Sequence, residues 1–397
     1  MAHDRRDVLR GLSGIPLASV AGCLGGDSPD DTGEPQTPTP SPTGTSTETE
    51  PTPTSVPPET DSWPTFHFDT GNSGTARTTG PSDPEIAWEF DTEAATWATS
   101  PVIADGTAYV GSDKLYAVST EDGSKKWDFW PGESVLTTPV VANRTVYFGS
   151  ANEHLYALDT AGGGERWRAD LGDTVSATPT VADGTVYTGG DQLYALSTED
   201  GSELWHAPID NQSSAPAVVD GLVYVADRDG NVYALSAEDG DEQWQFELED
   251  WIRRSPTVVG ETVYVGRERL YALSAADGIE QWYFETEGSV TPPYAVVGRT
   301  IFATDSEGFV YALSTEDGSE LWRERLGYTS NLPPVVVEDT VYVVSRYEAM
   351  YGLSAEDGSE KWSIEVEEYL TPPAVFDGSV YVGSREAVLY ALADEDR

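Results

Sequence analysis

The stretch Val232-Tyr233-Ala234-Leu235-Ser236-Ala237-Glu238-Asp239-Gly240-Asp241-Glu242-Gln243-Trp244 decides the fold, because the chain repeats it. Tyrosines in the same [Leu/Val/Met]-Tyr-[Ala/Gly]-[Leu/Val] setting stand at Tyr116, Tyr156, Tyr194, Tyr233, Tyr271, Tyr311, Tyr351 and Tyr390. The first seven are followed, eleven residues on, by Trp127, Trp167, Trp205, Trp244, Trp282, Trp322 and Trp362. The period is roughly 39 residues, within the range of repeat architectures built from one supersecondary unit.

Each period resolves into four short strands. In the copy that starts at Pro216, strand A ends at Val219 and strand B runs over 222–226. Strand C runs over 232–235 and strand D over 242–246. The A–B connection is always two residues long: Asp-Gly four times, otherwise Asn143-Arg144, Gly260-Glu261, Gly298-Arg299 and Glu338-Asp339. Gly, Asn and Asp tolerate the positive φ that tight hairpin turns demand. Four antiparallel strands per repeat of this length describe a propeller blade. The ends of the array favour a closed ring over an open solenoid. The last copy stops after its third strand, at Tyr390, and an orphan Trp-bearing strand around Trp88 precedes the first. Pairing these two ends removes both exposed edges. The expected fold is therefore all-β: an eight-bladed propeller of four-stranded antiparallel blades. The N-terminal strand bearing Trp88 completes the C-terminal blade.

The motif Leu-Tyr-Ala-Leu-x3-Asp-Gly-x3-Trp resembles the tryptophan-docking motif of the pyrroloquinoline-quinone (PQQ) repeat propellers. The resemblance covers residues 63–397, and the opening Ser62-Trp63-Pro64-Thr65-Phe66 also looks like the openings of that family. It implies that Trp88, Trp127, Trp167, Trp205, Trp244, Trp282, Trp322 and Trp362 dock neighbouring blades rather than stack on a ligand. Two functions are compatible with it. Quinoprotein dehydrogenases of the family hold PQQ and calcium, and many carry an adjacent-cysteine disulfide. This chain has one cysteine and no residue placeable as the catalytic aspartate. The BamB-like type is a non-enzymatic, lipid-anchored scaffold for protein partners, and it matches in length and architecture.

Outside the repeats, the first 22 residues resemble a twin-arginine lipoprotein signal. Arg5-Arg6 precede a short apolar run, too short to span a bilayer, that ends in Val20-Ala21-Gly22-Cys23. Cys23 is the expected lipidation site, and the expected location is the extracytoplasmic face of the cell membrane. Residues 23–61 are rich in Pro, Thr, Ser and Glu and bury too little apolar surface to fold, so they read as a disordered stalk. The propeller is expected over 62–397. With 69 acidic against 22 basic residues and a net charge of −47, the chain repels nucleic acid. The imbalance suits a protein bathed in molar salt, and it resembles haloarchaeal surface proteins in this respect.

No sequence pattern for a metal site, triad, P-loop or dinucleotide site is present, so no catalytic residue, metal or cofactor is expected. Asn143 and Asn211 open N-glycosylation sequons. The A–B and C–D connections, which share one face, are acidic and uniform. The B–C and D–A connections vary and carry Trp97, Arg228, Trp251, Arg253, Arg254, Arg267, Arg269, Tyr328, Arg346, Tyr347 and Arg385. Arginines beside aromatics form a candidate partner-binding rim; solvated, self-paired loop charges explain them as well. The expectation is a monomeric, surface-anchored binding or scaffold propeller for a protein or peptide partner. The alternatives are a PQQ-dependent dehydrogenase and a glycan- or small-solute-binding protein.

Overall fold

In the computed structural model, residues 62–395 are described apart from 64, 66, 77, 93–97, 210–214, 249–254, 291, 328–331, 346–348 and 367. The regular elements among them are all strands, and they form eight sheets. Seven blades are contiguous in sequence, and blade 4 shows the pattern. Strand A is Ala217–Val219, B is Leu222–Ala226, C is Asn231–Ser236 and D is Glu242–Glu247, hydrogen-bonded in that order. Blade 8 is composite: Pro84–Asp91 pairs antiparallel with Val388–Asp394 as its strand D. The eight-bladed ring closed by the Trp88 strand is thus what the sequence predicted.

Burial explains why the strands read as they do. Strands B and C are covered on both faces by neighbouring blades, so they are nearly continuous apolar runs, as in Leu222–Ala226. Strand D is the outer edge, exposed except at its tryptophan and one half-buried partner. The turns follow their residues. Both turn residues have positive φ at Asp105-Gly106, Asn143-Arg144, Asp183-Gly184, Asp220-Gly221 and Asp377-Gly378. Only the first does at Gly260, Gly298 and Glu338.

Each strand-D tryptophan packs on the strand-B aromatic of its own blade, from Tyr109–Trp127 at 5.8 Å between ring centroids to Tyr381–Trp88 at 5.9 Å. Its other contact is with the next blade. The Trp205 indole lies over Gly240 of blade 4's C–D turn, and its Nε1–H donates to the Ala237 carbonyl at 3.1 Å. The same bond recurs from Trp88 to Thr120, Trp127 to Thr160, Trp167 to Thr198, Trp244 to Ala275, Trp282 to Thr315 and Trp322 to Ala355. The turn glycine has positive φ, and a Cβ there would enter the indole, which is why Asp-Gly recurs in this turn.

Trp362 breaks the pattern. The blade after it is the composite one, whose C–D turn does not exist because the chain changes ends there. Its Nε1 is buried and finds no acceptor among the described residues. The ring lies against Gly352, where a Cβ would come within 2.3 Å of Cε2. The other seven copies have Ala at that position. Nearby, the carboxylate of Asp394 clasps the seam by accepting the amides of Ser82 at 2.9 Å and Asp83 at 2.8 Å.

The segment leading to blade 8 occupies the ring's axis. Ser62 and Trp63 pair antiparallel with Ala104 and Ile103 of the innermost strand of blade 1, Val102–Ala104. The chain enters beside the A–B turns and then crosses the ring. The carbonyls of Thr70, Gly71, Ser73 and Gly74 accept the strand-A amides of Val218, Val258, Val296 and Val336 at 2.7 to 2.9 Å. Thr75–Ala76 then runs parallel to strand A of blade 7, Val335–Val337. The segment leaves on the side it entered, where the Thr79 carbonyl accepts the Gly378 amide at 2.7 Å. This plug approaches the blades closely: a Cβ on Gly71 would lie 2.4 Å from the Val258 carbonyl oxygen. Inside it, Asp69 accepts the amides of Gly71 at 3.0 Å and Ser73 at 2.9 Å, together with the Ser73 hydroxyl. Burial pushes the Asp69 carboxyl up and the His67 imidazole down to about 3.

Two outcomes are expected. Gly240→Ala, with positive φ and an indole in the way, destabilises by more than about 2 kcal/mol. Gly221→Ala, with positive φ but open space, costs only about 1 kcal/mol. Denaturant unfolding of the two variants separates packing from backbone strain. The His67 pKa lies below its unfolded value, so the stability of its neutral form is complete above pH 6.5 and is lost as pH falls toward 3. Between pH 7 and 5 this removes about 2 kcal/mol, and Asp69, shifted upward, acts with the opposite sign. In His67→Phe, the stability difference between pH 7 and 5 is expected to shift by about that amount relative to the parent.

Candidate functional site

The ring has two unlike faces. On one, C–D turns lie on A–B turns, as where the Ala237 amide donates to the Gly221 carbonyl at 2.9 Å. The turn aspartates serve their own turns. Asp122, Asp200, Asp317 and Asp357 accept the amide and hydroxyl of the serine two residues on, which holds their carboxyls below the usual range. These carboxylates explain the repeated Glu-Asp-Gly-Ser as turn chemistry. Asn143 sits on this face, exposed in its turn, with the Thr145 hydroxyl donating to its carbonyl at 3.4 Å.

The opposite face carries the B–C and D–A connections. Strand-C tyrosines are pinned here by acids. Asp227 accepts the Tyr233 hydroxyl at 2.9 Å and the amides of Asp229 and Asn231, so this loop is an ordinary turn rather than a cation loop. Asp305 does the same for Tyr311 at 2.8 Å, and Glu368 for Tyr390 at 2.9 Å. Among the described residues, no group of three or more His, Cys, Asp or Glu side chains is arranged to hold a metal ion.

Of the eleven rim residues, four lie among the described ones: Arg228, Arg267, Arg269 and Arg385. Trp97, Trp251, Arg253, Arg254, Tyr328, Arg346 and Tyr347 lie outside them, as do Asn211, Cys23, Arg5, Arg6 and the signal and stalk segments. Arg228 is in the B–C turn of blade 4. Arg267 is in that of blade 5, where Arg269 opens strand C, and Arg385 is in that of blade 8, three blades further round. Arg267 approaches Glu268 at 3.5 Å. Arg269 pairs with Glu285 at 3.0 Å and covers the Tyr283 ring at 4.9 Å, so both partners belong to its own blade. Arg385 lies over Tyr369 at 4.8 Å, and its amide donates to the Tyr369 carbonyl.

Tyr369 and Leu136, each 42% exposed, are surface groups on this face that the repeat alone did not single out. Tyr369 stands four residues before Pro373, as Trp97 stands four before Pro101. That shared offset is the signal that could have marked it. Arginine and tyrosine in contact are the side chains that dominate protein–protein recognition, because they bury large area at small entropic cost. On this face Asp227, Asp305 and Glu368 are committed to tyrosine hydroxyls, and Arg267 and Arg269 face glutamates.

No curated protein matches the sequence. Several solved structures share the fold. BamB from Moraxella catarrhalis is 17% identical, with TM-score 0.67 over 78% of this chain and 100% of its own. Quinohemoprotein alcohol dehydrogenase from Comamonas testosteroni is 12% identical, with TM-score 0.72 over 84% and 81%. The computationally designed Ika8 protein is 13% identical, with TM-score 0.68 over 77% and 98%. A non-natural design and a dehydrogenase in one group show that the likeness concerns the ring, not an activity. Residues 72–161, 151–283 and 266–372 match the family described as outer membrane protein assembly factor BamB, and the chain belongs to that PQQ-repeat family.

Proposed function

We propose that this protein is a non-enzymatic scaffold, anchored to the extracytoplasmic membrane surface through Cys23, that holds a protein or peptide partner on its B–C and D–A face. The observation that carries this is the pairing of exposed Tyr369 with Arg385 on the face opposite the one by which the plug enters. On the acidic face, Asp122, Asp200, Asp317 and Asp357 serve their own turns. The irregular face presents aromatic, apolar and guanidinium groups, which is the composition of a recognition surface. The family description, an assembly factor, supports the same direction. A rigid closed ring costs little entropy to present such loops, which favours binding by preorganisation.

Crosslinking on intact cells, followed by mass spectrometry, identifies the partner. Tyr369→Ser with Arg385→Ser is expected to lower its recovery at least about 10-fold, which corresponds to about 1.4 kcal/mol. Asp357→Ser, on the other face, leaves recovery unchanged. Equal recovery from both variants sinks the rim. For the enzymatic alternative, the folded protein is incubated with PQQ and calcium and assayed for oxidation of alcohols and sugars with an artificial acceptor. Turnover above the protein-free control would overturn the non-enzymatic reading.

A further inference from the structure

In a two-residue hairpin the residues flanking the turn bond to each other. The next pair inward turns its N–H and C=O away from the partner strand. Strand A is innermost, so in every blade one residue aims its amide and carbonyl at the axis. In blades 4 to 7 these are Val218, Val258, Val296 and Val336, whose amides the plug accepts. In blade 1 the residue is Ile103, paired with Trp63. The equivalents in blades 2 and 3 are Val141 and Val181, paired with Val146 and Val186 across their hairpins. Among the described residues, no hydrogen bond from the plug reaches these two blades. Val141 and Val181 are accordingly half-buried, whereas the five residues just named in the other blades are buried. The bonds of the described plug residues thus lie to one side of the axis.

We propose that the inner edges of blades 2 and 3, Val140–Ala142 and Ala177–Ala182, are a second recognition site that takes an extended peptide segment of a partner by strand addition. The plug shows what such a seat accepts. It binds the neighbouring inner edges through backbone carbonyls, and its contacts are Thr70, Gly71, Ser73 and Gly74, because a larger residue at Gly71 would strike Val258. The segment recognised is therefore built of glycine and small hydroxyl residues and is extended where it pairs, as Ser62–Trp63 is against blade 1 and Thr75–Ala76 against blade 7. Apolar side chains in the axis and unpaired backbone groups together disfavour a charged solute there. The site rests on the scaffold reading above, but it is spatially separate from Tyr369 and Arg385, on blade 8 and the loop leading into it.

Amide exchange of the full chain tests the inference first. The amides of Val141 and Val181 are expected to exchange at least about 100-fold faster than those of Val218, Val258, Val296 and Val336. Equal protection means that the edges are already covered, and it overturns the site. The probe is then the octapeptide Asp-Thr-Gly-Asn-Ser-Gly-Thr-Ala, the sequence of residues 69–76. Saturable slowing at Val141 or Val181 at about 1 mM supports the site; none at that concentration overturns it. Val141→Pro with Val181→Pro removes the inward N–H groups and leaves the hairpin bonds in place. With the melting temperature unchanged, this double variant is expected to lose partner recovery on cells. Full recovery from it, alongside loss from the Tyr369/Arg385 variant, rejects the inner site and leaves the rim standing. Full recovery from both rejects the scaffold itself.

Discussion

An indole resting on a glycine joins most of this ring together. Within a blade, strands hold one another through backbone ladders, but between blades there is no continuous ladder. Neighbours are joined by apolar packing and by directed bonds, of which the most regular runs from a tryptophan Nε1 on one outer strand to a carbonyl in the next C–D turn; strand-B tyrosines reach the same carbonyls, as Tyr187 does at Ala237. Neither partner works alone. The turn needs a glycine to take positive φ, and the indole needs the missing Cβ to lie flat on it. Truncating a buried tryptophan costs roughly 3–5 kcal/mol. Repeated at seven interfaces, this contact sets the spacing of the blades and so the position of every loop.

The eighth interface shows what happens when the device is unavailable. A ring cut between strands C and D of one blade has no turn there, so Trp362 has nothing to dock on. The chain compensates with Gly352, which admits the displaced ring, and with Asp394, which ties the amides of residues 82 and 83 to the last strand. The same N-terminal arm does more than close the ring. Before it becomes strand D of blade 8 it threads the axis, satisfying inward amides that would otherwise face an open channel. Closure and plugging are consecutive parts of one segment.

The division between faces follows from that design. Turns that dock tryptophans must be alike, so the A–B and C–D face is uniform, and Asp122, Asp200, Asp317 and Asp357 hold its turns. The B–C and D–A loops carry no such duty and are free to differ. Variation accumulates there, and the Tyr369–Arg385 contact is one described instance of it.

Much of the architecture was legible from the sequence. The blade count, the four strands of each blade and the closure through Trp88 all follow from a period kept in register. Turn chemistry, strand patterning and the tryptophan spacing are local properties, and they agree in every copy. The path of residues 62–80 was not legible, because backbone carbonyls meeting backbone amides leave no side-chain signature beyond a few glycines. Nor was the misfit at Trp362, which depends on a turn that is absent. The rim divided in the same way. Spacing marked its arginines, but only the fold placed Arg385 over Tyr369 and Arg269 against Glu285, and it set Arg228 nearly across the ring from Arg385. Sequence by itself determined what repeats, since repetition is encoded residue by residue. Tertiary structure decided what happens on the axis, at the seam and around the rim, where groups far apart in the chain compete for the same space and the same hydrogen bonds.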